Sequence, residues 1–170
     1  MQPAQRVTSM DGVRQAPLHV ALVEPEIPPN TGNVARLCAA TGVALHLVEP
    51  LGFRIDDRAL KRAGLDYWKH LGVVIHPSLD EFVRATAAMR RWYLTKRATA
   101  RYDAATFSRG DMLVFGKETK GLPERLLAQD PEHCLRIPMR ADSVRSLNLS
   151  TAVGIVAYAA LAQLHFPELH

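Results

Sequence analysis

What the chain lacks narrows the field first. Only two cysteines, Cys38 and Cys134, occur among 170 residues, which gives neither a disulfide framework nor the spacing of a zinc site. The seven histidines are scattered with no His-x-x-x-His, so they read as strand, loop and tail residues and no metal is expected. The longest apolar run, 152–166, is interrupted by Gln163 and His165 and falls short of the ~20 residues of a membrane helix. Residues 1–17 lack the apolar stretch of a secretory signal. The expectation is a cytoplasmic protein without membrane contact. Gly-x-Gly-x-x-Gly, the P-loop pattern and Gly-x-Ser-x-Gly are all absent. That argues against a nicotinamide Rossmann site, a nucleotide P-loop and an α/β-hydrolase elbow. Neither charge sign dominates, with 21 basic against 17 acidic residues leaving +4. At 48 % apolar residues, the chain has too much hydrophobicity for disorder and enough length for one domain.

What is present alternates. Residues 1–17 are polar and read as a flexible tail, with the folded domain expected over 18–170. Short apolar runs at 18–23, 43–48, 73–75, 91–95, 111–115 and 134–137 read as strands. Between them, helices are expected at 30–41, 56–63, 78–89 and 122–129, with a long one from about 148 to 165. Ser78 and Glu81 form a capping-box pattern, and Gly42 suits a helix C-terminus. Strands alternating with helices predict a single α/β domain, a parallel sheet with helices on both faces. The last helix carries Val153, Ile155, Val156, Tyr158, Leu161 and Leu164 with small residues between. An all-round apolar helix is buried on more than one side, which suggests a subunit interface. Cys38 falls on an apolar helix face and reads as a buried, inert thiol.

Three loops at strand ends carry the polar chemistry. The first, EPEIPPNTGNVAR over 24–36, has Asn30 as a candidate cap and sets Asn33 and Arg36 three apart on one helix face. The second, FGKETKGLP over 115–123, flanks Glu118 with Gly116 and Gly121, which permit close backbone approach. The third, IPMRADSVRSLNLS over 137–150, crowds Arg145, Ser146, Asn148 and Ser150 at the start of the last helix. Residues 84–102 hold Arg84, Arg90, Arg91, Lys96, Arg97 and Arg101 with no acid, interleaved with Trp92, Tyr93 and Tyr102. Such a patch suits a phosphate backbone and stacked bases.

In this order, PEIPPNTGNVARLCAATG, LVFGKETKGLP and RIPMRADSVRSLNLSTAV resemble the three signature motifs of the SPOUT class of RNA methyltransferases. The match spans about 18–166. The text LHLVEPLGF…DDRALKRAGLDYW resembles its compact branch, which methylates the ribose 2′-oxygen of nucleotide 34 (cytidine or uridine) in tRNA. The resemblance implies a fold with a C-terminal trefoil knot, S-adenosylmethionine as cofactor, a homodimer through the last helix, and tRNA as partner. It implies cofactor contacts from Leu94, Gly116, Ile137, Met139, Ser146 and Leu147. Arg36, Asn33, Glu118 and Tyr158 become the expected catalytic residues. Asn30, Arg97, Arg101, Arg145 and Asn148 become the expected RNA-binding residues. Lys117 stands where the motif leads to a proline, Lys120 where it leads to an arginine, and Val144 reads as an insertion. A ribosomal RNA, another tRNA position, or a non-catalytic dimeric RNA-binding role are the competing readings.

Overall fold

The computed structural model of the chain describes residues 9–55, 71–142 and 144–170. The helix expected at 56–63 lies outside them. β1 (His19–Val23), β2 (Ala44–Val48), β3 (Val73–His76), β4 (Arg91–Leu94), β5 (Met112–Phe115) and β6 (Cys134–Leu135) form one sheet. Its order is β3-β2-β1-β5-β4-β6, and every pairing is parallel. The chain therefore builds outward from β1 in one direction and then reverses. The crevice between β1 and β5 is the switch point where open α/β sheets bind ligands.

Strand alternation supplies both faces with apolar side chains. On one face Val20, Leu22, Leu45, Leu47 and Leu113 pack under α2 (Pro28–Thr41) and α5 (Leu149–Gln163). On the other, Ala21, Val23, Met112 and Val114 pack under α3 (Leu79–Ala85) and α4 (Glu124–Gln129). Burial on both sides explains why the strands read as continuous apolar runs. Residues 9–17 are not simply tail: α1 (Met10–Val13) is capped by Ser9, and Val13 buries itself against Ala44 and Val74.

Several boundaries differ from expectation for local reasons. α2 begins at Pro28, with Pro29 also in its first turn and Ile27 in the cap position. Asn30 is thus not the cap but an inward-facing residue. Gly42 ends α2 at φ 69° as expected. α3 stops at Ala85 rather than at 89 because Thr86 turns its hydroxyl back to Phe82 O, while Arg91 takes Val83 O and the Thr86 hydroxyl. β6 is shorter than expected and is held by one loop. Leu135 O accepts from Thr95 N, while Arg136 N donates to Ala100 O and Arg136 O accepts from Tyr102 N. The loop leaving β4 thus bonds to Leu135 and to Arg136, the residue just after β6, through three backbone hydrogen bonds.

The same alternation builds a feature the scattered spacing concealed. His19, His46 and His76 come from three adjacent strands and form a buried chain. His19 Nδ1 lies 3.0 Å from His46 Nε2, and His46 Nδ1 lies 3.0 Å from His76 Nε2. Burial lowers the pKa of all three, that of His19 to about 4, and the neighbouring imidazoles lower that of His46 further.

Candidate active site

The three polar loops meet at the switch point. Parallel register places Leu94 opposite Phe115 and Leu135, so Leu94, Gly116 and Ile137 all emerge at neighbouring strand ends. Gly116 is required by the protein's own loop: a Cβ there would lie 2.1 Å from Gly121 C. The close approach that its sequence predicted is thus to backbone of the same turn.

Glu118 joins the loops. Its Oε2 accepts from Glu26 N at 2.8 Å, and its Oε1 accepts from Ile27 N and from Asn30 Nδ2, both at 3.1 Å. Asn30 in turn accepts from Asn148 Nδ2 at 2.9 Å. Asn148 caps α5, its Oδ1 accepting from Ser150 N, Ser150 Oγ and Thr151 N. One continuous path, Glu118–Asn30–Asn148, therefore ties all three loops together. Each of its side chains is occupied by internal donors or acceptors. Asn30 is only 6 % exposed and holds the loops from inside, whereas Asn148 holds them from an exposed position at the start of α5. Both Glu118 oxygens accept from the 24–30 segment, so this carboxylate ties the second loop to the first.

Beside this junction opens a cleft of about 660 Å³, within the usual range of small-molecule sites. Ile137, Pro138, Met139 and Val144 give it apolar wall, and Lys96, Arg136, Arg140, Arg145 and Asp142 give it charge. Among the described residues those four cations have no acidic partner. Ser146 is exposed and Leu147 half-buried just beyond the cleft lining. Asn33 and Arg36 are both exposed on α2, one turn past the Asn30 junction. Tyr158 is not brought to the junction. It lies ten residues along α5 from Asn148, about 15 Å at helical rise, with its ring 6.3 Å from that of Phe166.

The 84–102 patch changes character in three dimensions. Trp92 and Tyr93 are buried, 8 % and 1 % exposed, so neither stacks on a base. Asp111 is buried and accepts from Arg90, from Trp92 Nε1 at 2.8 Å and from Ser108 N. Arg97 pairs with Glu124, Arg101 with Asp103, and Arg84 with Glu81. Two of these acids, Glu81 and Asp103, flank the segment, and two, Asp111 and Glu124, come from farther along the chain. Cys38 is fully buried and burial pushes its thiol pKa up, as an inert thiol requires. Among the described residues no helix is long and apolar enough to cross a membrane.

Comparison with known proteins bears directly on this geometry. The SpoU rRNA Methylase family matches over residues 17–158. A tRNA (cytidine(34)-2'-O)-methyltransferase of Escherichia coli K12 is 49% identical over 151 residues, covering 88% of this chain and 96% of that protein. A solved structure described as "Structural insights into the 2-OH methylation of C/U34 on tRNA" is 49% identical with a TM-score of 0.82, covering 87% of this chain and 96% of that one. An rRNA methyltransferase from Sinorhizobium meliloti, solved with AdoMet bound, is 25% identical with a TM-score of 0.78, covering 88% of this chain and 57% of that one.

Proposed function

The chain belongs to the SpoU rRNA Methylase family, and from that premise we propose that it transfers a methyl group from S-adenosylmethionine to the ribose 2′-oxygen of nucleotide 34 in tRNA. The observation that carries the reading is the Glu118–Asn30–Asn148 path, which assembles three loops beside a ligand-sized cleft. The compact length and the 49% identity to a tRNA methyltransferase favour tRNA over ribosomal RNA.

The cleft suits the cofactor. Ile137 and Met139 offer apolar wall to an adenine, and Asp142 offers a negative charge to the cationic end. Leu94, Gly116, Ser146 and Leu147 border the same strand ends and would complete the site. When bound, the cofactor supplies a methyl group already activated on a sulfonium, so the protein's contribution is mainly positioning. Arg36 and Asn33, exposed together on α2, orient the ribose and its phosphate. A guanidinium is already protonated and offers no acceptor for the 2′-hydroxyl proton. Arg36 instead holds a neighbouring phosphate oxygen where that proton can go. Glu118 keeps the α2 entry in place.

Four cations at the cleft without an acidic partner among the described residues, Lys96, Arg136, Arg140 and Arg145, form the RNA backbone path in this reading. A phosphate reaching Arg97 or Arg101 must first displace Glu124 or Asp103. A knotted C-terminal region belongs to the same reading, with the loop leaving β4 bonded to Leu135 and Arg136. α5 leaves Tyr158 48 % exposed and Phe166 41 % exposed, with small residues between. That face is read as the homodimer interface, and Tyr158 as part of it. The protein is read as cytoplasmic, like the tRNA it would modify.

The test is direct. Wild type and Arg36→Ala are incubated with labelled S-adenosylmethionine and total tRNA or rRNA, and any 2′-O-methyl group is mapped. Label at nucleotide 34 with wild type alone is expected. Label at another site would move the substrate, and no label in any RNA would leave an RNA-binding protein.

A further inference from the structure

Three consecutive residues after β5 each grip a different group of the loop after β1. Lys117 Nζ lies 2.5 Å from Glu24 Oε2. Glu118 accepts from the backbone of Glu26 and Ile27. Thr119 donates its N–H at 3.0 Å and its hydroxyl at 2.8 Å to the Glu26 carboxylate. Neither backbone has slack. Behind the first loop, a Cβ on Gly52 would lie 2.7 Å from Glu26 Cα, and Gly52 N donates to Pro25 O. Glu24 sits at φ 51°, a left-handed conformation that a glutamate keeps only when its surroundings hold it. Its own N–H is bonded to Val48 O. On the other side, Lys117 O accepts from Gly121 N, and Gly116 has no room for a side chain.

The Lys117–Glu24 pair thus bridges two backbones that are each fixed separately. Its side chains are 26 % and 23 % exposed, so solvent and salt screen it less than a surface pair. We propose that Lys117 is a positioning residue for methyl transfer: paired with Glu24, it sets the separation of the loop leading to Asn33 and Arg36 from the loop following Gly116. This rests on the proposed function above. It also gives a role to the position where the second motif departs from the expected proline. A neutral side chain at 117 leaves the Glu24 carboxylate partly buried and unpaired. The two loops, each rigid in itself, then separate at the Lys117 end of the seam, and the first turns of α2 shift with loop 24–27. Ile137 and Met139 of the cleft wall are not part of this seam, and Gly116 is held by its own turn against Gly121. The loss therefore falls on turnover rather than on cofactor affinity.

The experiment compares wild type, Lys117→Met, Lys117→Arg and the charge swap Glu24→Lys/Lys117→Glu. It reads kcat and KM on tRNA, and hydrogen exchange across residues 24–36. Lys117→Met is expected to lower kcat by about tenfold or more, since a shift well under 1 Å is already costly, while the KM for S-adenosylmethionine stays within about threefold. Lys117→Arg keeps most of the activity, and the swap recovers a clear part of what Lys117→Met loses. Exchange in residues 24–32 rises in Lys117→Met but not in Lys117→Arg. Should Lys117→Met not fold, Thr119→Val loosens the same seam and carries the same kcat-without-KM expectation. A kcat for Lys117→Met near that of wild type, or a swap no better than the single variants, overturns the positioning role. Unchanged exchange overturns the clasp itself. A wild-type protein inactive on every RNA overturns instead the function on which the role rests.

Discussion

Mild acid should loosen this fold well before ordinary carboxylates protonate. His19, His46 and His76 are buried in one hydrogen-bonded chain. Each link needs one nitrogen as donor and the next as acceptor, so an added proton removes an acceptor. The groups facing the chain are few. Glu81 on α3 raises the pKa of His76 slightly against a larger burial effect, and on α1 Asp11 and Arg14 pair with each other. His19 falls from 6.5 to about 4 in the folded protein. A histidine depressed on folding contributes stability fully above its unfolded pKa and loses it as pH falls toward the folded value. For His19 alone that loss is about 2 kcal/mol at pH 5 and about 3 kcal/mol by pH 4. The other two imidazoles act in the same direction. In a chain of this size, the pH 5 loss lowers the Tm by about 4–8 °C relative to pH 7.5. Urea denaturation of wild type and His19→Asn at pH 7.5, 6.0 and 5.0 measures it. The difference between the two proteins should shrink as pH falls, because the variant has no imidazole there to protonate. A difference independent of pH would refute the reasoning, whatever the total acid sensitivity.

Glu118→Ala leaves three donors without their acceptor, and a loss of about 2 kcal/mol is expected in denaturant titration. Glu118→Gln sets an amide NH2 against one of those N–H donors and should lose part of the same stability in the same titration. Gly116→Ala should abolish soluble folded protein or drop its Tm sharply, because its Cβ meets backbone at 2.1 Å. Gly121→Ala, at φ 69° but with open space, should cost about 1 kcal/mol. Equal effects would mean that the turn opens easily. Arg136→Ala and Arg140→Ala should each reduce the slope of log K against log salt for tRNA by about 0.7–1, while Arg97→Ala leaves it unchanged. The reverse ranking would return the RNA path to the 84–102 segment.

Apolar periodicity made most of the fold legible, because a doubly covered parallel strand needs little beyond a short apolar run. It was silent where tertiary partners decide. The end of α3 depends on Arg91 taking carbonyls from another element. α1 is polar in sequence, and one valine makes it part of the core. The histidine chain needed strand register, since its members are 27 and 30 residues apart. At the site, motif order located the three loops but not the division of labour within them. Asn30 and Asn33 are the same residue type three apart, yet the first faces inward to Glu118 and the second faces solvent. Because Pro28 and Pro29 start α2 early, Asn30 lies inside its first turn, where its side chain meets Glu118 and Asn148.

The same division separates the basic residues, and it is physical. A cation already held by a carboxylate must exchange that partner for a phosphate, and the gain is only the difference between two similar attractions. A cation with no acidic partner exchanges water and counterions, which is the step that drives nucleic-acid association. Arg90, Arg97 and Arg101 belong to the first group. Lys96, Arg136, Arg140 and Arg145 belong to the second, and all four line one cleft. A +4 net charge is too small to hold RNA by itself. Internal acids neutralise arginines that build the scaffold, so that positive charge is left concentrated along the cleft of Lys96 and residues 136–145.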